Sequence, residues 1–344
     1  MNKQNSFLTL LVMLLTFFVV SSCSKDDDTP IDNNKPTYGD NDDDDEAEEG
    51  SATTTYNVAF RYTDPHGIDV FSSQITSISL FVYDKEGNLV TALTESGETL
   101  KRENYTMSIN IAQGIYDLVA WCGLEDGNSF IINDGKTPTI LSDANCRLIR
   151  ETAPDGSATS SKSLQPLYHA MLSDVEFSTL SETPVTMHLV KDTNTISVAL
   201  TNLSGKQVNP EDFTITIHDN NGYLAYDNHL LDDAMITYKP WLQSLDNNSS
   251  LVAYFDLSRL TAEHDTRLTI HATGKDAPIL SVSLTQLLVY IKDSTNSQMP
   301  YQQYLDNNDK FEFTFFIDDN NEWNKNAGIY INGWRFSFPS SDEL

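Results

Sequence analysis

Cations, cysteines and long apolar runs are all scarce in this chain. It carries 21 Lys and Arg against 50 Asp and Glu, a formal charge of −29. Nucleic-acid binding needs a basic face, so that balance argues against it; a soluble, outward-facing body fits it instead. The longest apolar stretch, Phe7 to Val20, has 14 residues, short of the ~20 that span a bilayer. Of three cysteines, only Cys122 and Cys146 fall in the body, 24 positions apart. An exported chain meets oxidising conditions in which such a pair can bridge. Cys122, however, sits in a strand-like apolar run, where free buried cysteines are common.

Signatures of catalysis are missing too. The seven histidines, His66, His169, His188, His218, His229, His264 and His271, are scattered singly. No pair has the i, i+4 spacing with an intervening Glu of a zinc protease helix. His218 and His271 sit in strand-like runs, where a solvent-facing or hydrogen-bonded role is the default over metal ligation. There is no Gly-x-Ser-x-Gly elbow, no glycine loop to cradle phosphate and no cysteine pairing suited to metal. Carboxylate pairs abound, but glycosidase chemistry needs two at a set separation, which a sequence this acidic does not single out. Asp318-Asp319-Asn320-Asn321-Glu322 is rich in the oxygen ligands that Ca²⁺ prefers but lacks the spacing of a binding loop, so a solvated turn is expected. Trp241, Trp323 and Trp334 are the residues that a sugar platform would use; sheet packing is the ordinary explanation. No enzyme, cofactor or metal site is expected.

What is present begins at the N-terminus. Lys3 precedes the apolar stretch, and Val20-Ser21-Ser22-Cys23 closes it. A charged start, a short apolar core and small residues before the cut describe a cleaved export signal over residues 1–22. The position of Cys23 resembles the lipobox of bacterial lipoprotein precursors, which makes Cys23 the acylated first residue. Residues 24–50 hold 12 acidic and 2 basic side chains, including Asp42-Asp43-Asp44-Asp45-Glu46. Such a run repels itself and has nothing to bury, so residues 23–52 read as an acidic, disordered tether.

After residue 52 the texture changes to short alternating segments broken by Gly, Asn, Asp and Pro. Tyr56 to Tyr62, Ile75 to Tyr83, Leu89 to Leu93, Tyr105 to Ile111, Gly114 to Trp121 and Pro184 to Lys191 have the period of two that a half-buried strand requires. The pattern restarts at Thr195 to Leu200 and continues through Phe213 to His218, Tyr223 to Tyr226, Ser250 to Leu257, Arg267 to Ala272, Leu287 to Ile291, Phe311 to Ile317 and Ile329 to Phe338. Short helices or turns are expected only at Leu164 to Leu172 and Ser258 to Leu260. Asn128 to Ser163 reads as a large surface loop. Evenly spaced short strands mean an all-β sandwich or barrel. Two sets of about seven predict two tandem sandwiches, 53–190 and 191–344, with a hinge near Val190–Asn194.

Several segments in order carry a resemblance. These are Cys23 with Ser24-Lys25-Asp26-Asp27-Asp28, the run Leu80 to Leu89, the run Gly114 to Trp121, and Ile329-Tyr330-Ile331-Asn332-Gly333-Trp334. Together they resemble the FimB/Mfa2-like fimbrillin-associated anchor lipoproteins of Bacteroidetes. That resemblance implies two transthyretin-like Greek-key sandwiches and an outer-membrane lipoprotein, facing outward, that fixes a fimbria to the cell and limits its assembly. Ser24, Lys25 and the following acids also resemble a surface-export signal of that phylum. In the related shaft subunits an Arg-specific protease removes the first strand, and a neighbour's strand fills the groove by β-strand addition. Here Arg61 lies within the first strand and no Arg stands between Cys23 and Thr55, so that strand is expected to stay. The implied partner is a fimbrial shaft subunit (fimbrillin), met by the last strand through Ile329, Ile331, Trp334 and Phe336. A glycan-binding lipoprotein of a nutrient-uptake system, and a shaft or tip subunit, are the alternatives. An exposed aromatic cluster on a concave face would favour the glycan binder, and a sealed core holding Trp121 and Trp334 would count against it.

Overall fold

The structure is a computed structural model that describes residues 52–295 and 298–337. Cys23, the expected signal and most of the acidic segment lie outside the described residues, as does Phe338. The described residues form one compact unit, built mainly of short strands in several sheets with few helices.

The first strands are β1 (Thr54–Arg61), β2 (Ser77–Tyr83), β3 (Leu89–Ser96), β4 (Thr106–Ile111) and β5 (Gly114–Cys122), with a single turn of helix, α1 (Phe71–Gln74), before β2. Then follow β6 (Phe130–Ile132), β7 (Asn145–Leu148), β8 (Glu151–Thr152), β9 (Ala158–Ser160), β10 (Tyr168–Phe177), β11 (Val185–His188) and β12 (Val190–Lys191). A three-stranded sheet, β11-β1-β4, packs on a five-stranded one, β12-β10-β5-β2-β3. Between them Tyr56, Val58, Phe60, Met107, Ile109 and Met187 meet Ile78, Leu80, Val82, Leu118, Ala120 and Tyr168. The opposite face of the five-stranded sheet is buried as well, where Phe81, Tyr83, Val119 and Trp121 enter a second core. β2 and the end of β5 are therefore covered on both faces, where the sequence pattern predicts strands with one wet face.

The second core belongs to the strands after Asp192. These are β13 (Thr193–Asn202), β14 (Phe213–Asp219), β15 (Tyr223–Ala225), β16 (Ile236–Tyr238), β17 (Leu242–Leu245), β18 (Leu251–Ser258), β19 (Arg267–Ala272), β20 (Leu280–Ser283), β21 (Lys310–Ile317), β22 (Ile329–Ile331) and β23 (Trp334–Phe336). Two six-stranded sheets, β17-β18-β13-β21-β22-β23 and β20-β19-β14-β16-β9-β8, supply its faces. Along β21 the alternation is clean: Phe311, Phe313, Phe315 and Ile317 are all buried. The two halves repeat one arrangement. β1 runs parallel to β11 and antiparallel to β4; β13 runs parallel to β21 and antiparallel to β18. Each set's opening strand is therefore central, clamped between a strand that follows closely and one that arrives last.

Several expectations from the sequence differ from the structure, among them a last strand that is a hairpin of β22 and β23 and a Ser258 to Leu260 that holds no helix. Leu287 to Ile291 is not a strand but part of helix α2 (Leu284–Thr295), followed by α3 (Tyr301–Asp306). Leu284, Leu287, Leu288 and Ile291 are buried at helical spacing. Leu164 to Leu172 holds no helix, and its second part opens β10. Asn128 to Ser163 is not a surface loop: Phe130, Ala144, Cys146 and Leu148 are core residues, β7 pairs with β15, and β9 runs parallel to β16. Its neck is tight, because a Cβ on Gly123 would stand 1.9 Å from the Pro166 carbonyl oxygen. Cys122 and Cys146 are free thiols buried in different cores.

Candidate partner-binding edges

The first strand is locked on both sides. Val58 pairs with Val185 of β11 and with Met107 of β4. Its inward side chains are fully engaged: the Tyr56 ring lies 4.8 Å from that of Phe177, and Phe60 stacks at 6.2 Å on Phe71. Arg61 ends the strand half-buried, with Nε 3.2 Å from Asp69 Oδ2 and Nη1 donating to its neighbour's carbonyl, Phe60 O, at 3.0 Å.

The last strands form a hairpin. Asn332 and Gly333 turn it with φ of 49° and 81°, the positive pair that a two-residue type I′ connection needs. Asn332 is held to β21 twice, since its N–H donates to Glu312 O and its Oδ1 accepts from Glu312 N–H, both at 2.8 Å. Ile329 and Ile331 are wholly buried, and Phe336 is half-buried against the same core. Trp334 stands directly opposite Ile331, so its side chain leaves on the core-facing side, yet it is 67 % exposed. The strand overhangs the rim of the core there. On the other face Arg335 reaches back to the Ala327 carbonyl at 3.1 Å. The hairpin thus divides the four residues singled out from the sequence. Ile329 and Ile331 hold it down, while Trp334 is exposed and Phe336 half-buried at the rim. Trp121, by contrast, is sealed.

A polar network that the sequence did not flag sits where the chain passes from β12 to β13. Asp192 is completely buried; Asn228 Nδ2 donates to its Oδ1 at 2.8 Å, and Arg259 Nη1 lies 3.8 Å away. Arg259 also donates to Asn228 O at 2.9 Å and to Asp306 at 2.8 Å. Burial pushes the Asp192 carboxyl up to about 7 despite Arg259. Nearby, His169 of β10 shares a hydrogen bond of 2.8 Å with the Tyr226 carbonyl, and burial pushes its imidazole down to about 4. These contacts tie β10 and the junction to the loop around Asn228. They hold charges in place and present no nucleophile.

Other candidates from the sequence are spent on local structure. The Asp318 carboxylate accepts from the N–H groups of Asn320 and Glu322 at 2.9 and 3.0 Å, which makes the acidic stretch a turn. His218 lies between the hydroxyls of Thr216 and Thr237. Among the described residues, no group of three His, Cys, Asp or Glu side chains could hold a metal ion.

The described residues form a β-sandwich body whose opening strands are paired on both sides and whose sheets end in open edges. The family described as "Fimbrillin-A associated anchor proteins Mfa1 and Mfa2" matches residues 42–336, and the chain belongs to it. Membership gives it a fimbrial, cell-surface setting and an anchor-associated role within a structural family rather than an enzyme family. No curated protein matches the chain. Among solved structures, a candidate adhesin of Bacteroides thetaiotaomicron is similar at 28 % identity and a TM-score of 0.71, over 83 % of this chain and 98 % of that one. A candidate polysaccharide-binding protein of the same species shares the fold at 24 % identity and a TM-score of 0.73, over 83 % and 98 %. The fimbrial anchor protein Mfa2 of Porphyromonas gingivalis shares it at 17 % and 0.63, over 83 % and 100 %.

Proposed function

We propose that this protein is the lipid-held base of a fimbria. Acylated Cys23 fixes it in the outer membrane, facing outward, and residues 23–52 act as a solvated tether. Two acyl-type signals suffice for stable anchoring, since each buried methylene adds about 0.8 kcal/mol. Residues 53–190 and 191–344 serve as two tandem sandwiches that pass the load to a shaft subunit (fimbrillin).

The observation that carries this reading is the double pairing of β1. With Val58 bound on both sides, the first sandwich offers no vacant groove to a neighbour's strand. A subunit that accepts no strand there ends the fimbria on that side and so limits its assembly. Contact then falls to an open edge, and the hairpin of β22 and β23 supplies one with Trp334 at its rim. Added strands gain main-chain hydrogen bonds, with specificity from alternate side chains.

The glycan-binding alternative needs aromatics grouped on one platform. The exposed tryptophans Trp241 and Trp334 belong to opposite edges of a six-stranded sheet, about 24 Å apart at ~4.8 Å per strand. An alanine and truncation series over 334–338, scored by fimbriae retained on cells against fimbriae shed to the medium, tests the hairpin contact. Unchanged retention across the series would sink it.

A further inference from the structure

The excursion between β5 and β10 builds a groove of about 370 Å³ that lies away from both β1 and the terminal hairpin. Its floor is the outer end of the five-stranded sheet, where Phe81 stands opposite Ala92 in the β2–β3 ladder and Thr94 follows two residues on. Ala92 and Thr94 are exposed. Its wall is β6: Phe130, Ile131 and Ile132 all line it. Successive strand side chains point to opposite faces, so three consecutive residues can line one groove only when the strand presents its edge. β6 is the outermost strand of the sheet β15-β7-β6. Among the described residues, no backbone group of Phe130 to Ile132 pairs with anything beyond the β7 ladder.

An unpaired edge facing an apolar floor is a template for strand addition. Natural edges are usually blunted by short length, charge, proline or a covering loop; here β6 has three residues and Gly135 to Pro138 form the far side of the groove, while the backbone edge of Phe130 to Ile132 itself stays unpaired. The charge at the groove narrows the occupant further. In a chain of net charge −29, the one ionic side chain lining the groove is a cation, Lys136. It is exposed and has no ion-pair partner among the described residues.

We propose that this groove accepts an extended segment of a second protein as a fourth strand on β6, apolar at alternate positions over Phe81 and Ala92 and carrying a carboxylate beside Lys136. The alternation follows from the geometry: a strand lying edge-on to β6 and flat on the floor turns every second side chain toward Phe81 and Ala92. The carboxylate follows from the unpaired ammonium group. This site is independent of the terminal hairpin, so the anchor would hold two strands of its surroundings by different edges.

The test titrates the full chain with two labelled peptides, acetyl-Ser-Val-Ser-Val-Ser-Val-Asp-amide and the same peptide ending in Lys, followed by fluorescence anisotropy. The Asp peptide is expected to bind at least fivefold more tightly than the Lys peptide. Lys136→Glu is expected to reverse that preference, and Ala92→Arg to weaken the Asp peptide at least tenfold with an unchanged melting temperature. Equal affinity for the two peptides, no binding of either, or indifference to Ala92→Arg would overturn the proposal. So would self-association of the peptide-free chain that Ala92→Arg abolishes, since a second copy would then be the occupant. Binding of a bacterial oligosaccharide mixture blocked by Ala92→Arg, with both peptides inert, would also overturn it. None of these outcomes depends on whether Trp334 retains fimbriae.

Discussion

Val58 stands beside Val185 in parallel register, although the two residues are 127 positions apart in the chain. The pair fixes the first strand of the described body to the strand that closes the first set. Val198 and Phe313 repeat the relation in the second half. Because Val58 is completely buried, Val58→Ala is expected to destabilise the protein by about 2 kcal/mol, from two lost methylene equivalents and the void left behind. Urea unfolding measures this as a lower midpoint at unchanged slope. A loss of under ~0.5 kcal/mol, the range of surface changes, would mean that β1 is not an integral strand.

The junction network predicts a strong asymmetry between single and double substitutions. Arg259→Met leaves the buried Asp192 and half-buried Asp306 without their shared cation. Removing one partner of a buried ion pair costs about 3–5 kcal/mol. Measured above about pH 8, where Asp192 is ionised in the parent protein, adding Asp192→Asn removes the stranded carboxylate and is expected to recover more than half of that loss. Additive losses in thermal unfolding would show that Asp192 and Arg259 do not interact.

Two buried groups at the junction have opposing pH effects. Asp192, raised to about 7, keeps in the folded state a proton that the unfolded chain gives up near 3.9, so its contribution to stability falls as pH rises from about 4 to about 7. His169, lowered to about 4, refuses a proton that the unfolded chain binds below about 6.5, so its contribution rises from about 4 to 6.5. Over that shared window the two nearly offset each other. Asp192→Asn removes the falling part. Relative to the parent, its melting temperature is therefore expected to gain steadily from pH 4 to 6.5, while His169→Gln shows the reverse slope. Parallel curves for all three proteins would contradict both assignments.

At the terminal hairpin the prediction separates stability from contact. Trp334 is mostly exposed while Ile331, directly opposite, is buried. Trp334→Ala is expected to change stability by less than ~0.5 kcal/mol yet to lower retention of fimbriae on cells. Ile331→Ala is expected to cost about 2–5 kcal/mol. Equal stability losses from the two would place Trp334 in the core.

The strands of this protein were legible where one face is wet. β4, β14, β19 and β21 alternate along their length, and period two places them to within a residue or two. Leu287 to Ile291 misled because a short apolar run is shared by strands and buried helices, and the helical spacing shows only when Leu284 is included. The excursion from Asn128 to Ser163 misled for another reason. Its strands have two to four residues, too short to show a period, and the pairings that bury them, β7 with β15 and β9 with β16, join segments far apart in sequence. The same remoteness hides the groove beside β6, whose floor comes from β2 and β3 and whose wall and lysine come from residues 130–136. Ile329 to Phe338 has the apolar content of one strand, yet Asn332-Gly333, among the strongest local turn signals, folds it into a hairpin.

The most direct test of the anchoring role is mass spectrometry of the N-terminus of the native protein purified from cell surfaces, with identification of what co-purifies. An acylated Cys23, an intact β1 and a co-purifying shaft subunit are expected. A mature protein that begins beyond Arg61, with the tether and first strand removed, would contradict that role and make the chain a subunit of the shaft or tip.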